Sequence, residues 1–198
     1  MKKSKVETAE TRKRIVEAAA RTFRNNGIHA TGVAEIMSAA GMTHGGFYRH
    51  FASKDQLVAE ACAASMETIV HSAEAAGKGG EEAFLKHLVT SLSDEYRDDC
   101  LGGCPLVAVG SELARADMET RRAASQGFRE LIDVIVKQIS FDDPASAKGE
   151  AIFAVSAIIG AVTLSRIVDD PELSDLVLEE SRKRVAELWA KSPQGALD

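Results

Sequence analysis

Residues 41–57, GMTHGGFYRHFASKDQL, gather hydroxyl, imidazole, phenol and ammonium donors around two adjacent glycines. Thr43 can cap a short helix, and Gly45 and Gly46 then fall in its first turn, where each glycine costs roughly 1 kcal/mol relative to alanine. A bare backbone at that cost suits a helix that another molecule must approach closely. The DNA major groove is such a partner: the first turn of an inserted helix lies against base edges, and its last turn holds the phosphate backbone. On that reading Thr43 offers a hydroxyl to phosphate or base, and His44 is the polar tip. Tyr48, His50 and Lys54 reach phosphate oxygens, with Lys54 adding the positive end of the next helix. Phe47 and Phe51, four apart, share a helix face and read by spacing as core.

The elements that must carry this stretch are legible around it. Ile15, Ala18, Ala19, Thr22 and Phe23 make the stripe of a half-buried helix over residues 11–25, which Gly27 stops. Thr31 can cap a second helix with Val33, Ile36, Met37 and Ala40 inward, closed by Gly41. Ser53 starts a fourth at Lys54 that runs to about Ala75. Two short helices across a tight turn form a helix-turn-helix pattern.

The remainder also reads as helix, with no strand pattern or internal repeat. Helices are expected over 81–97 after GKGG, from Pro105 to about Arg115, from an Asp117 cap to Ile139, over 145–168 after FDDP, and from Pro171 to Trp189, giving about nine in all. The tail 191–198 reads as flexible.

Net charge over the 198 residues is −6, but it is unevenly spread. Residues 1–54 hold ten basic and four acidic side chains, and the rest holds 14 basic and 26 acidic. A basic amino-terminal quarter on an acidic body is suited to phosphate. The five histidines form no H-x-x-x-H or H-E-x-x-H signature, and no phosphate loop or serine elbow is present, so neither enzyme, cofactor nor metal is expected. Three cysteines and no signal-peptide pattern argue against a disulfide framework. No apolar run approaches the about 20 residues that cross a bilayer, and a cytoplasmic protein without a membrane partner is expected.

Residues 11–61 resemble the DNA-binding domain of TetR-family transcriptional regulators. The resemblance runs in order through Thr11-Arg12, Ile15, Ala18-Ala19, Phe23, Gly27, Thr31, Ile36, Ala40-Gly41, Thr43, Gly45, Tyr48, His50-Phe51, Lys54 and Leu57. It implies an all-α, TetR-like fold: a three-helix helix-turn-helix domain over 1–54 and a larger ligand-binding and dimerising domain over 55–190. It further implies that Thr31, Thr43, Tyr48, His50 and Lys54 contact phosphates, while Thr43, His44, Gly45 and Phe47 face the bases. Gly46 departs from the family's frequent Ala or Thr, which puts the operator sequence in question. The implied function is a homodimeric repressor, bound to a palindromic operator in double-stranded DNA and released by a small-molecule inducer or by cysteine modification.

Within the body, residues 150–168 are apolar nearly all round. Ile152, Val155, Ile159 and Gly160, with Val185, Leu188 and Trp189 of the last helix, are the expected dimer interface, the alternative being an intramolecular core. Cys104 before Pro105 stands where a helix dipole can lower a thiol pKa, with Cys100 near enough in sequence to resolve it. A similar stretch occurs in TetR-like regulators that respond to electrophiles, which makes both cysteines candidate sensors. Two buried, inert cysteines remain the simpler reading. Cys62, Met66 and Phe128 are further candidates for a ligand pocket.

Overall fold

The computed structural model describes residues 5–99, 103–138 and 143–190. These form eleven helices and no strand, two helices more than expected. They group into two compact units: residues up to Glu67 with Cys104–Gln126, and Thr68–Gly103 with the residues from Gly127 onward. The first unit therefore reaches past the expected boundary at residue 54 and takes in a stretch of the body.

In the first unit, α1 (Lys5–Asn26) starts a turn and a half earlier than its apolar stripe suggests. It is followed by α2 (Val33–Ala39), a 3-10 helix η1 (His44–Arg49) and α3 (Lys54–Gly77). Ile15, Ala19 and Phe23 of α1 meet Ile36 and Met37 of α2, Phe47 of η1, Phe51, and Leu57 and Val58 of α3 in one core. The rings of Phe47 and Phe51 stack with centroids 5.6 Å apart. Gly41, at φ 71, ends α2. Its N–H donates to Ser38 O and that of Met42 to Met37 O, the paired closure that a left-handed residue after a helix allows. The turn into η1 is thereby set by one glycine.

The rest of the first unit comes from α6 (Pro105–Ala108), α7 (Gly110–Leu113) and the start of α8 (Met118–Val136). One helix was expected over 105–115. It breaks at Val109, whose φ −133 and ψ 21 leave the helical region before Gly110 restarts the chain. Asp117 caps α8 as expected, accepting from the N–H groups of Glu119 at 2.7 Å and Thr120 at 3.0 Å.

In the second unit, the expected helix over 81–97 is two, α4 (Glu81–Thr90) and α5 (Asp94–Asp98). Ser93 accepts from Tyr96 N and is followed by two acids, so it restarts a helix in place of continuing one. α9 (Pro144–Ile167) opens on an Asp143 cap, and α10 (Pro171–Ala190) packs along it. Val155, Val185 and Trp189, expected at a dimer interface, are instead inside this unit. The Trp189 ring lies 6.2 Å from that of Phe84, centroid to centroid.

By length and composition α9 is apolar enough to cross a membrane, contrary to the expectation that no run comes close. Ser156, Gly160 and Thr163 disguise the run in the sequence. Its small buried side chains, Ala151, Ala154 and Ala161, allow the close helix approach that a packed core uses.

Candidate nucleic-acid interface

Thr43 stands at the N-cap of η1 in extended conformation, yet its side chain makes no cap hydrogen bond. Its hydroxyl is exposed beside His44 and Gly45, both exposed as well. The helix is wound by Gly46 N donating to Thr43 O at 3.0 Å and His50 N donating to Phe47 O at 2.9 Å. This is 3-10 winding, where an α-helix was expected; two glycines without side-chain packing hold the wider ladder poorly. A Cβ added at Gly45 would meet no atom within 4 Å, so the space in front of it is open. One added at Gly46 would touch Met37 Cε at 3.5 Å and Met42 Cε at 3.8 Å, in ordinary contact.

Tyr48 is 72% exposed, its ring edge-on to Phe47 at 5.2 Å. The phenol therefore projects from a rigid aromatic floor. His50 is half-buried, and its carbonyl accepts from Arg12 Nε at 3.3 Å. Lys54, also half-buried, spends one proton on Ile28 O at 2.6 Å and keeps two for an outside acceptor. The exposed Arg49 lies on the same short helix, a cation in its last turn beside Tyr48.

Two of the expected DNA contacts need correction. Thr31 is 1% exposed and donates its hydroxyl to Gly27 O at 2.6 Å, so it ties the turn before α2 and offers nothing outward. Gly32, not Thr31, occupies the cap position of α2. Phe47 is also 1% exposed: its ring turns inward as the floor of η1. Helical spacing pointed to this role.

The candidate sensor residues are placed differently from their expected chemistry. Burial pushes the Cys62 thiol up to about 11, with Cys104 adding to the effect. Burial also raises the Cys104 thiol, outweighing the N–H groups of Leu106 and Val107 and the charge of Arg24. The lowering expected from a helix N-terminus is present in those two N–H groups, but a four-residue α6 supplies too little of it to offset the burial. Cys100 lies outside the described residues. Cys62 lines a cavity of about 20 Å³ with Phe23, Ile28, Pro105 and Leu113, room for about one water molecule. Met66 is buried in the first unit and Phe128 half-buried in the second, and neither lines that cavity.

On the second unit, Ile152 is exposed, and Ile159, Gly160 and Leu188 are half-buried. Phe153, Leu164, Ile167, Leu173 and Leu176 are large apolar side chains left open on α9 and α10. Phe153 and Leu164 are three helical turns apart and so share a face.

A short exposed helix seated by a preceding helix across a tight turn, with a buried aromatic beneath it, defines a helix-turn-helix DNA-binding protein. Residues 15–61 match the bacterial regulatory proteins of the tetR family, and residues 81–178 match the LmrA/YxaF-like transcriptional regulator C-terminal domain. The uncharacterized HTH-type transcriptional regulator Rv0196 of Mycobacterium tuberculosis is 30% identical over 195 residues, 91% of this chain and 97% of the relative. The HTH-type transcriptional regulator LmrA of Bacillus subtilis is 28% identical over 170 residues, covering 79% of this chain and 86% of the relative. A solved TetR transcriptional regulator from Chloroflexus aurantiacus superposes with a TM-score of 0.74 at 27% identity, over 94% of this chain and 97% of its own. The chain belongs to the TetR family of transcriptional regulators.

Proposed function

We propose that this regulator is a cytoplasmic homodimeric repressor that holds a palindromic operator and lets go when a small molecule binds its helical body. The observation that carries the DNA half of this reading is the exposed set Thr43, His44, Gly45 and Tyr48 on a helix whose floor, Phe47, is buried. Thr43, Tyr48, His50 and Lys54 take phosphates, while His44 and the bare Gly45 backbone approach the bases. The open apolar side chains of α9 and α10 support pairing of two copies, which sets two reading helices about one DNA turn apart. Of the two routes to release, a bound ligand is favoured over thiol chemistry. Burial raises both the Cys62 and the Cys104 thiols, which disfavours the thiolate, the reactive form.

The test is fluorescence anisotropy of the full chain on labelled DNA from upstream of its own gene, across a salt series. Tight binding to one palindrome, with affinity falling steeply as salt rises, is expected. Equal, weak binding to that DNA and to a scrambled duplex would sink the reading.

A further inference from the structure

Glu112 of α7 reaches residues more than eighty positions away in sequence. Its carboxylate accepts from the N–H groups of Ile28 at 2.7 Å and His29 at 2.9 Å, and pairs with His29 Nδ1 at 2.7 Å. All three donors lie in the turn between α1 and α2, just ahead of the helix-turn-helix. Gly27, at φ 85, is what lets the carboxylate in: a Cβ there would stand 3.1 Å from Glu112 Oε2. The break at Val109 re-aims the chain so that α7 can present Glu112 to this turn.

The same turn is gripped from its other side. The peptide oxygen of Ile28 accepts Lys54 Nζ at 2.6 Å, and Lys54 opens α3 directly after the reading segment. Ile28 is thus held through its N–H by Glu112 and through its C=O by Lys54. Only one residue separates the carboxylate from an ammonium that can serve a DNA phosphate. Bonds from backbone N–H to an ionised carboxylate are the strong kind, and the Glu112 side chain itself is only 22% exposed, although His29 beside it is open to water.

We propose that Glu112 is a positioning residue for DNA binding: it latches the 27–29 turn, and through Ile28 it sets where the Lys54 ammonium stands. The inference rests on the operator reading above. Glu112 touches no DNA and, as an anion, would repel it. Its contribution comes entirely through the peptide it holds.

The experiment compares wild type, Glu112→Gln, Glu112→Ala and Lys54→Ala on the same DNA across a salt series, with a thermal melt of each to establish folding. Glutamine keeps one accepting oxygen and alanine none. Affinity should fall about tenfold in Glu112→Ala and by less in Glu112→Gln. The salt slope should drop by about one in Glu112→Ala, as it does in Lys54→Ala, because one phosphate contact is lost. A lowered melting temperature with wild-type affinity and slope means that Glu112 only stabilises the fold, and overturns the latch. If Glu112→Ala melts too low to titrate, the milder Glu112→Gln decides by the same salt slope: a lowered slope supports the latch and a wild-type slope overturns it. Wild type without specific binding overturns the operator reading and this inference together, while wild-type binding with unaltered variants overturns the latch alone.

Discussion

The Arg12 guanidinium lies 4.4 Å from the centroid of the Phe51 ring. It also forms a two-pronged pair with Glu60 of α3 and donates to the carbonyl of His50. Arg12 looked in the sequence like one charge of a phosphate-binding surface. It is instead the clamp that ties α1 to the exit of the reading helix. Glu60 is in turn held by Gln56, whose amide oxygen takes the N–H of Ala52.

Arg12→Lys should lower the stability of the protein by about 1–2 kcal/mol, because an ammonium cannot stack on the ring and fork onto the carboxylate together. Urea denaturation of the two proteins measures it. An equally stable Lys variant would show that the charge alone matters.

Gly45→Leu should leave the melting temperature unchanged or raised, since the new side chain enters open space and leucine favours helix over glycine. Operator binding should be abolished. Gly46→Ala should fold and bind, with altered base preference, because its methyl only touches Met37 and Met42. Melting curves and operator titrations of both variants separate the two outcomes. Normal binding by Gly45→Leu would remove η1 from the groove.

Acid should loosen the α1–α2 turn. Burial alone would raise the Glu112 carboxyl, but the N–H groups of His29 and Ile28 and the His29 side chain reverse it, leaving the carboxyl below its ordinary 4.5. A carboxyl depressed by folding contributes stability above its unfolded value, and that contribution is lost as pH falls through the folded value. Amide protection at Ile28 and His29 should hold from neutrality down to 4.5 and fall below it, as hydrogen exchange corrected for intrinsic rates would show. Protection that falls already above 4.5 would contradict the assignment.

Ile167 is 71% exposed and Leu164 53% exposed. If two copies pair through α9 and α10, Leu164→Asp with Ile167→Asp should yield monomers in sedimentation equilibrium while helical content is kept. The same change at Val185, which is buried, should unfold the second unit. A double variant that still sediments as a dimer would move the interface elsewhere.

What the sequence disclosed follows from how local each signal is. Ile15 to Phe23, Gly41 and the Asp117 cap are short-range patterns, and the helices they define are present. The helix breaks at Val109 and after Thr90 carry no proline, and the apolar spacing runs on past the Ser93 cap and Gly110, so continuous helices were the natural expectation. Tyr48 and His44 were legible as exposed donors. Thr31 was not, because a threonine ahead of a helix looks like a cap whether its hydroxyl points out or, as here, back to Gly27. The roles of Glu112 and Arg12 depend on partners 83 and 48 residues away, which no periodicity encodes. Val155 and Trp189 could not be assigned to core or dimer face, since an all-round apolar helix looks the same in both.

The 3-10 winding of the reading segment has a consequence for how such a regulator changes its target over generations. Three residues per turn stack position on position, so Gly45 shares a row with Tyr48, and His44 shares one with Phe47. Gly45 and Tyr48 thus form an outward strip apart from the buried Phe47, which the exposed His44 precedes by one turn. On the proposed operator reading, a small side chain at Gly45 would change what the bases meet without disturbing the floor. Drift to a new operator after gene duplication can therefore proceed by single steps through folded intermediates, with the blank position as the place where new letters enter.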